Sequence, residues 1–234
     1  MAIQERCIEY KFSNERAKEF ALHGFARRLN TLARCIQNVF DVIPPELEGV
    51  PTADDVKDAA IQIQAFVINV FGALDNLAWM WVLELDLKKP NGAEIPPEWV
   101  GLRLPNTLVR RSFSHDLQAY LDSIAEWFDY QEGYRHALAH QIPLYIPPYA
   151  VDPKHESQFN ELEGEITRAI FRNDFDGADA LRMQRDSLKF FRPFIMHSWG
   201  RARPMPFHVQ MIADFKTIEA ISLKVLDELP SPKS

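Results

Sequence analysis

Residues 22–43, LHGFARRLNTLARCIQNVFDVI, carry Leu22, Phe25, Leu29, Leu32, Ile36, Val39 and Ile43 at alternating spacings of three and four. That rhythm follows the turn of an α-helix and gathers the apolar side chains into one stripe, the seam of a helical bundle. Pro44 and Pro45 end it, because proline has no amide hydrogen to continue the ladder. Thr52, followed three residues later by Asp55, reads as a capping box that starts the next helix. Val56, Ala60, Ile63, Val67, Val70, Leu74 and Leu77 then repeat the same spacing, and the helix is expected to run to about Leu87.

The segment 59–85 is apolar enough to span a membrane, but it carries Gln62, Gln64, Asn69, Asp75 and Asn76. Polar side chains at that density predict the buried helix of a soluble protein, with no membrane partner. Gln62, Asn69 and Asn76 recur every seven residues, which predicts a solvent stripe; the rival reading is a polar seam facing a partner helix. A proline-rich connection covers residues 90–106. Helix returns near Ser114, with Leu117, Leu121, Ile124 and Phe128 on one face, and must stop before Pro143. Gly133 is a candidate kink. The last helix runs from Pro206 to about Glu228, with Met211, Phe215, Ile218 and Val225 inward.

These elements predict an all-α fold, an up-down four-helix bundle with a mainly helical insertion before the last helix. The bundle is assigned to residues 1–142 and 206–234, and the insertion to 143–205. The insertion opens with extended Leu144, Tyr145 and Ile146, then shows two charged helical patterns at 155–172 and 175–189.

At 47% hydrophobic residues the chain supports a substantial core. Its formal net charge of −7 excludes a global electrostatic attraction to nucleic acid or an anionic membrane, so any RNA contact must use local basic patches. Cys7 and Cys35 have no metal-type spacing and make no disulfide framework, which suits a reducing cytoplasm. The N-terminal residues lack the apolar core of a signal peptide.

Arg135-His136-Ala137-Leu138-Ala139-His140 falls at the end of the third helical pattern. An arginine fork clamps phosphate, and an imidazole exchanges protons near neutral pH. Residues five apart lie about 140° apart around a helix, so Arg135 and His140 do not stack on one face. His140 sits in the last turn, where the helix dipole favours imidazolium.

Arg135, His136 and His140 resemble the signature of the HEPN superfamily, the higher eukaryotes and prokaryotes nucleotide-binding domain. Its motif is Arg, often followed by Asn, Asp or His, and a second His a few residues on. The resemblance implies a bundle of four or five helices. It also implies a metal-independent endoribonuclease, working without a cofactor, whose site forms where two motifs meet in a homodimer. Its products would be 2′,3′-cyclic phosphates. Many such proteins are toxins of toxin–antitoxin pairs or phage-defence effectors, so an antitoxin is a candidate partner beside the RNA substrate. Others are non-catalytic modules that bind nucleotides, RNA or proteins. Some toxins carry a modifiable tyrosine two residues after the histidine; here Ile142 stands there and the nearest tyrosine is Tyr145.

In the catalytic reading His140 exchanges protons, Arg135 stabilises the phosphorane-like transition state, and His136 orients the site or shares proton transfer. A blander reading pairs Arg135 with Glu132 on the helix surface. A further rival uses Glu132, His136 and His140, spaced four apart, as ligands of a divalent metal. Two acid-poor patches add candidate RNA contacts: Arg192, Arg201 and Arg203 among aromatic residues, and Arg110 with Arg111.

Overall fold

The structure, a computed structural model, describes residues 2–104, 106–197 and 204–230. It is predominantly helical, as the apolar periodicity predicts. Helix α1 covers Ala2–Glu9 and α2 covers Glu15–Glu19. Without a break, α2 passes into a π-helical stretch, Phe20–Phe25, and then into α3, Ala26–Val42. The rod therefore starts about two turns before the expected Leu22, because Asn14 caps it by accepting from the amides of Arg16 and Ala17. Phe25, Leu29, Leu32, Val39 and Ile43 are buried along the expected seam, while Leu22 and Ile36 lie at its margin.

Helix α4, Ala53–Glu84, is the axis of the molecule. Its capping box forms as read: Thr52 Oγ1 accepts from the Asp55 amide at 3.2 Å and Asp55 Oδ2 accepts from the Thr52 amide at 3.2 Å. The helix is long and apolar enough to cross a membrane, but its most apolar window is 56% buried within the fold. It contacts α2, the π-helical stretch, α3 and two later helices. It ends at Glu84, before the expected Leu87, where Asp86 takes a positive φ of 48°. Glu84 is buried there and accepts from the amides of Ser13 (2.8 Å) and Asn14 (3.2 Å). A carboxylate at a helix C-terminus opposes the dipole; the start of α2, held against it, supplies the compensating amides. Tyr10 approaches the same carboxylate, and burial together with that charge raises its pKa to about 12.

The connection after α4 buries Ile95, Val100 and Leu102 and leads to α5, Thr107–Arg110. The expected third helix is split into α6, His115–Ser123, and α7, Ala125–His140. The break is at Ile124 (φ −110°, ψ 21°), whereas Gly133 passes through α7 without interruption. Leu117, Leu121 and Phe128 still face the core.

Residues 143–205 begin with an extended run in which Leu144 and Ile146 are buried in the main core. Gln64 of α4 donates to the Leu144 carbonyl at 2.7 Å. Helices α8, Glu156–Phe171, and α9, Phe175–Asp186, form a hairpin on Leu162, Ile166, Ala169 and Ala178. Two short antiparallel pairs complete the segment. Strand β1, Ala150–Val151, pairs with β2, Lys189–Phe190; β3, Phe194–Ile195, pairs with β4, Met205–Pro206.

Helix α10, Phe207–Asp227, returns against α3 and α4, burying Met211, Ile218 and Val225, with Phe215 half-buried. His208 in its first turn is 6% exposed and donates from Nε2 to the Ile43 carbonyl at 2.6 Å. Burial pushes its pKa below the usual 6.5 despite the carbonyl and Glu46. The unfolded chain therefore binds this proton first as pH falls, and the native state loses stability from about pH 6.5 down to the depressed folded value. The difference in melting temperature between the wild type and His208→Gln should accordingly shrink when thermal melts are moved from pH 8 to pH 5.

Candidate functional site

Helix α7 turns Phe128, Gln131, Tyr134 and Ala137 inward, so Arg135, His136, Ala139 and His140 are left on the solvent side. His136 and His140, one turn apart, have ring centroids separated by 5.2 Å at an interplanar angle of 55°. Arg135 diverges from them and lays its guanidinium over the Phe71 ring of α4, 5.2 Å from the centroid. It does not pair with Glu132. That carboxylate is taken by Arg103, from the loop between α4 and α5.

Arg103, Glu132 and Arg135 line a cleft of about 380 Å³ with Phe71, Asp75 and Phe128. Asp75 is one of its acids, with Glu98 and Glu132. The Asp75 side chain reaches solvent, yet the protein mass crowded around it raises its pKa; Arg135, Arg28 and Arg103 pull the other way through space. Three helices and a loop thus bring three guanidiniums around one carboxylate, a grouping that separations of tens of residues concealed in the sequence.

The metal reading finds no such convergence. With Glu132 held by Arg103, no group of three His, Cys, Asp or Glu side chains among the described residues is placed to hold a metal ion.

The candidate RNA-contacting arginines separate. Arg110 is 5% exposed and its donors reach the Leu102 carbonyl (3.0 Å), the Gln118 carbonyl (3.3 Å) and Asp122, so it braces the loop and α6 internally and presents nothing to RNA. Arg111 is exposed in a separate groove beside Trp99. Arg192 is exposed, its guanidinium 5.0 Å from the Phe190 centroid. Arg201 and Arg203 lie outside the described residues.

The seven-residue stripe on α4 is not a solvent stripe. Asn38 donates to Gln62 at 3.1 Å, and Arg28 donates to Asn69 at 2.9 Å and to Asn76 at 3.0 Å. It is the polar seam between α3 and α4. The sequence signal for it was available: a stripe facing water has no reason to be amide-only, and Gly72 sits within it.

Beneath α7 lies one more acid that periodicity missed. Asp214 of α10 is 3% exposed and accepts from Trp127 Nε1 (2.8 Å) and Gln210 Nε2 (2.6 Å). Burial raises its pKa against those donors.

No family model matches the chain, and no curated protein or solved structure is significantly similar to it. His136 and His140 are exposed while His208 is enclosed. Diethyl pyrocarbonate followed by peptide mass mapping should modify both exposed rings and spare His208 in the native protein; protection of His136 and His140 that persists at dilutions where the protein is monomeric would place α7 the other way round.

Proposed function

We propose that this protein is a metal-independent endoribonuclease of the HEPN type, acting as a homodimer on RNA. The observation that carries the reading is that Arg135, His136 and His140 all lie on the solvent side of α7 while its opposite face is anchored in the core. One chain presents the histidines and the arginine in different directions, so a second copy is required to bring an arginine to a phosphate held near the imidazoles. Ile68 on α4 and Ile142 just beyond α7 are 43% and 56% exposed, and they supply apolar surface beside the motif for such a contact.

In this reading α3, α4, the α6–α7 pair and α10 are the four members of the bundle. His140 takes the proton of the attacking 2′-hydroxyl or returns one to the leaving 5′-oxygen. Arg135 neutralises the charge that builds on the phosphorane-like centre. His136, one turn away, shares the proton transfer or orients its neighbour. Cleavage leaves a 2′,3′-cyclic phosphate. Arg103 and Asp75 border the cleft, where the arginine steers the RNA backbone and the acid limits how close a second phosphate comes. The biological role that accompanies such chemistry is that of a toxin or phage-defence effector, with an antitoxin as partner.

Cleavage of mixed RNA is expected to persist in EDTA. It should fall about 100-fold or more in both Arg135→Ala and His140→Ala, and stay within a few-fold of wild type in Glu132→Gln. Loss in EDTA with recovery on zinc would transfer the site to a metal mechanism, and no cleavage in any condition would leave a binding module. Assembly is checked separately: light scattering at micromolar concentration should give twice the monomer mass of 27.0 kDa. A purely monomeric protein would remove the composite site.

A further inference from the structure

A second cavity opens between the π-helical stretch, α3 and α4, lined from α4 by Asn69 and Asn76. Its volume is about 580 Å³ and its rim carries Arg16, His23, Arg27, Arg28 and Thr31, opposed by Glu19 alone. Three arginines and a histidine around one acid are the reverse of the chain's overall balance, where acids outnumber Lys and Arg by 33 to 26. None of the three arginines is in an ion pair among the described residues.

Arg28 is seated, not merely present. Its Nε donates to Asn76 and its Nη1 to Asn69, two acceptors on successive turns of α4. Between them the guanidinium lies against Gly72, where a Cβ would overlap Cζ, Nη1 and Nε. Two neutral acceptors orient the group without discharging it; the nearest acid noted, Asp75, acts on it through space without an ion pair, and Nη2 makes no hydrogen bond among the described residues. A positive fork fixed by uncharged partners is how a site is prepared for an anion: orientation is supplied in advance and the charge remains available. The backbone is irregular at the same place, since π-helical turns replace α-helix at Phe20–Phe25 and Gly24 comes close to Asn76. The volume exceeds what a bare phosphate fills and lies in the range of small-molecule pockets.

We infer that this cavity binds a small phosphorylated ligand, a phosphomonoester or diphosphate on an organic group, with Arg28 as the fixed phosphate clamp and Arg16, His23 and Arg27 closing over it. The inference is independent of RNA cleavage and uses none of the α7 residues.

Inorganic pyrophosphate is the probe, titrated by calorimetry into the full chain at constant ionic strength. Saturable binding is expected. Arg28→Gln should weaken it about tenfold or more, the loss of one charge-assisted clamp. Gly72→Ala is the decisive variant. The added methyl displaces the Arg28 guanidinium and with it two hydrogen bonds, but Asn69 and Asn76 line the open cavity where water replaces them, and alanine suits a helix better than glycine. The fold should therefore be kept, with a melting temperature within a few degrees of wild type, while binding falls about tenfold. Arg182→Ala, which removes the same charge from the α9 hairpin, should bind as wild type. Wild-type binding by Gly72→Ala overturns the seat and with it the inference. So does absence of saturable binding, or equal weakening by Arg182→Ala, which would report diffuse charge alone.

Discussion

Helix α4 must be covered on nearly every side, and most of the architecture follows from that. It is a long helix whose residues Ile63, Phe66, Val67, Val70, Leu74, Leu77 and Met80 are all buried. One amphipathic neighbour cannot shield so wide an apolar surface, so α2–α3, α7 and α10 are recruited around it. Beyond its first two turns the narrow strip left over is Ile61, Ile68 and Asp75, exposed at seven-residue intervals. Both candidate sites flank that strip, one toward α7 and one toward α3. Their position is a consequence of where the covering helices stop.

The polar residues of α4 show how a buried helix tolerates amides. Gln62, Asn69 and Asn76 face α3 and are satisfied by Asn38 and Arg28, so their burial does not leave unpaired dipoles. The same pairing immobilises a guanidinium. A requirement of packing thus produces an oriented positive group, and Gly72 makes room for it. On the other flank Phe71 plays the corresponding part for Arg135, offering a ring face instead of an acceptor. Asp75 lies between the two cations and feels both, together with Arg103. One carboxylate thus senses the arginines of both clefts through space.

Charges that look alike along the chain diverge once folded. Arg110 and Arg111 are neighbours in sequence, yet one is spent on carbonyls and Asp122 inside the fold and the other is exposed. Glu132 has ideal helical spacing to both Arg135 and His136, but Arg103 claims it from a distant loop. Helix-surface pairs are weak, so a better-placed partner from another element displaces them readily. The break at Ile124 and the π-helical stretch at Phe20–Phe25 were illegible for a related reason: neither carries a proline, and both adjust helices to neighbours that the local sequence does not name.

By itself the sequence determined where the main helical runs lie and which apolar stripes they bury, though not the break at Ile124 or the direction of the α4 amides. Apolar period, the Thr52–Asp55 box, the stop at Pro44 and the start at Pro206 are local signals, and burial of an apolar stripe is the same physical demand whichever helix answers it. It also singled out Arg135, His136 and His140 by residue type and spacing, and the structure carries them on the solvent side of α7. Only tertiary structure decided which charges meet. Arg28, Asp75, Arg103 and Arg135 come from separate elements, and their grouping depends on the angles at which those elements close around α4. Electrostatic interaction acts through space over several ångströms, so its partners are chosen by packing and not by order along the chain.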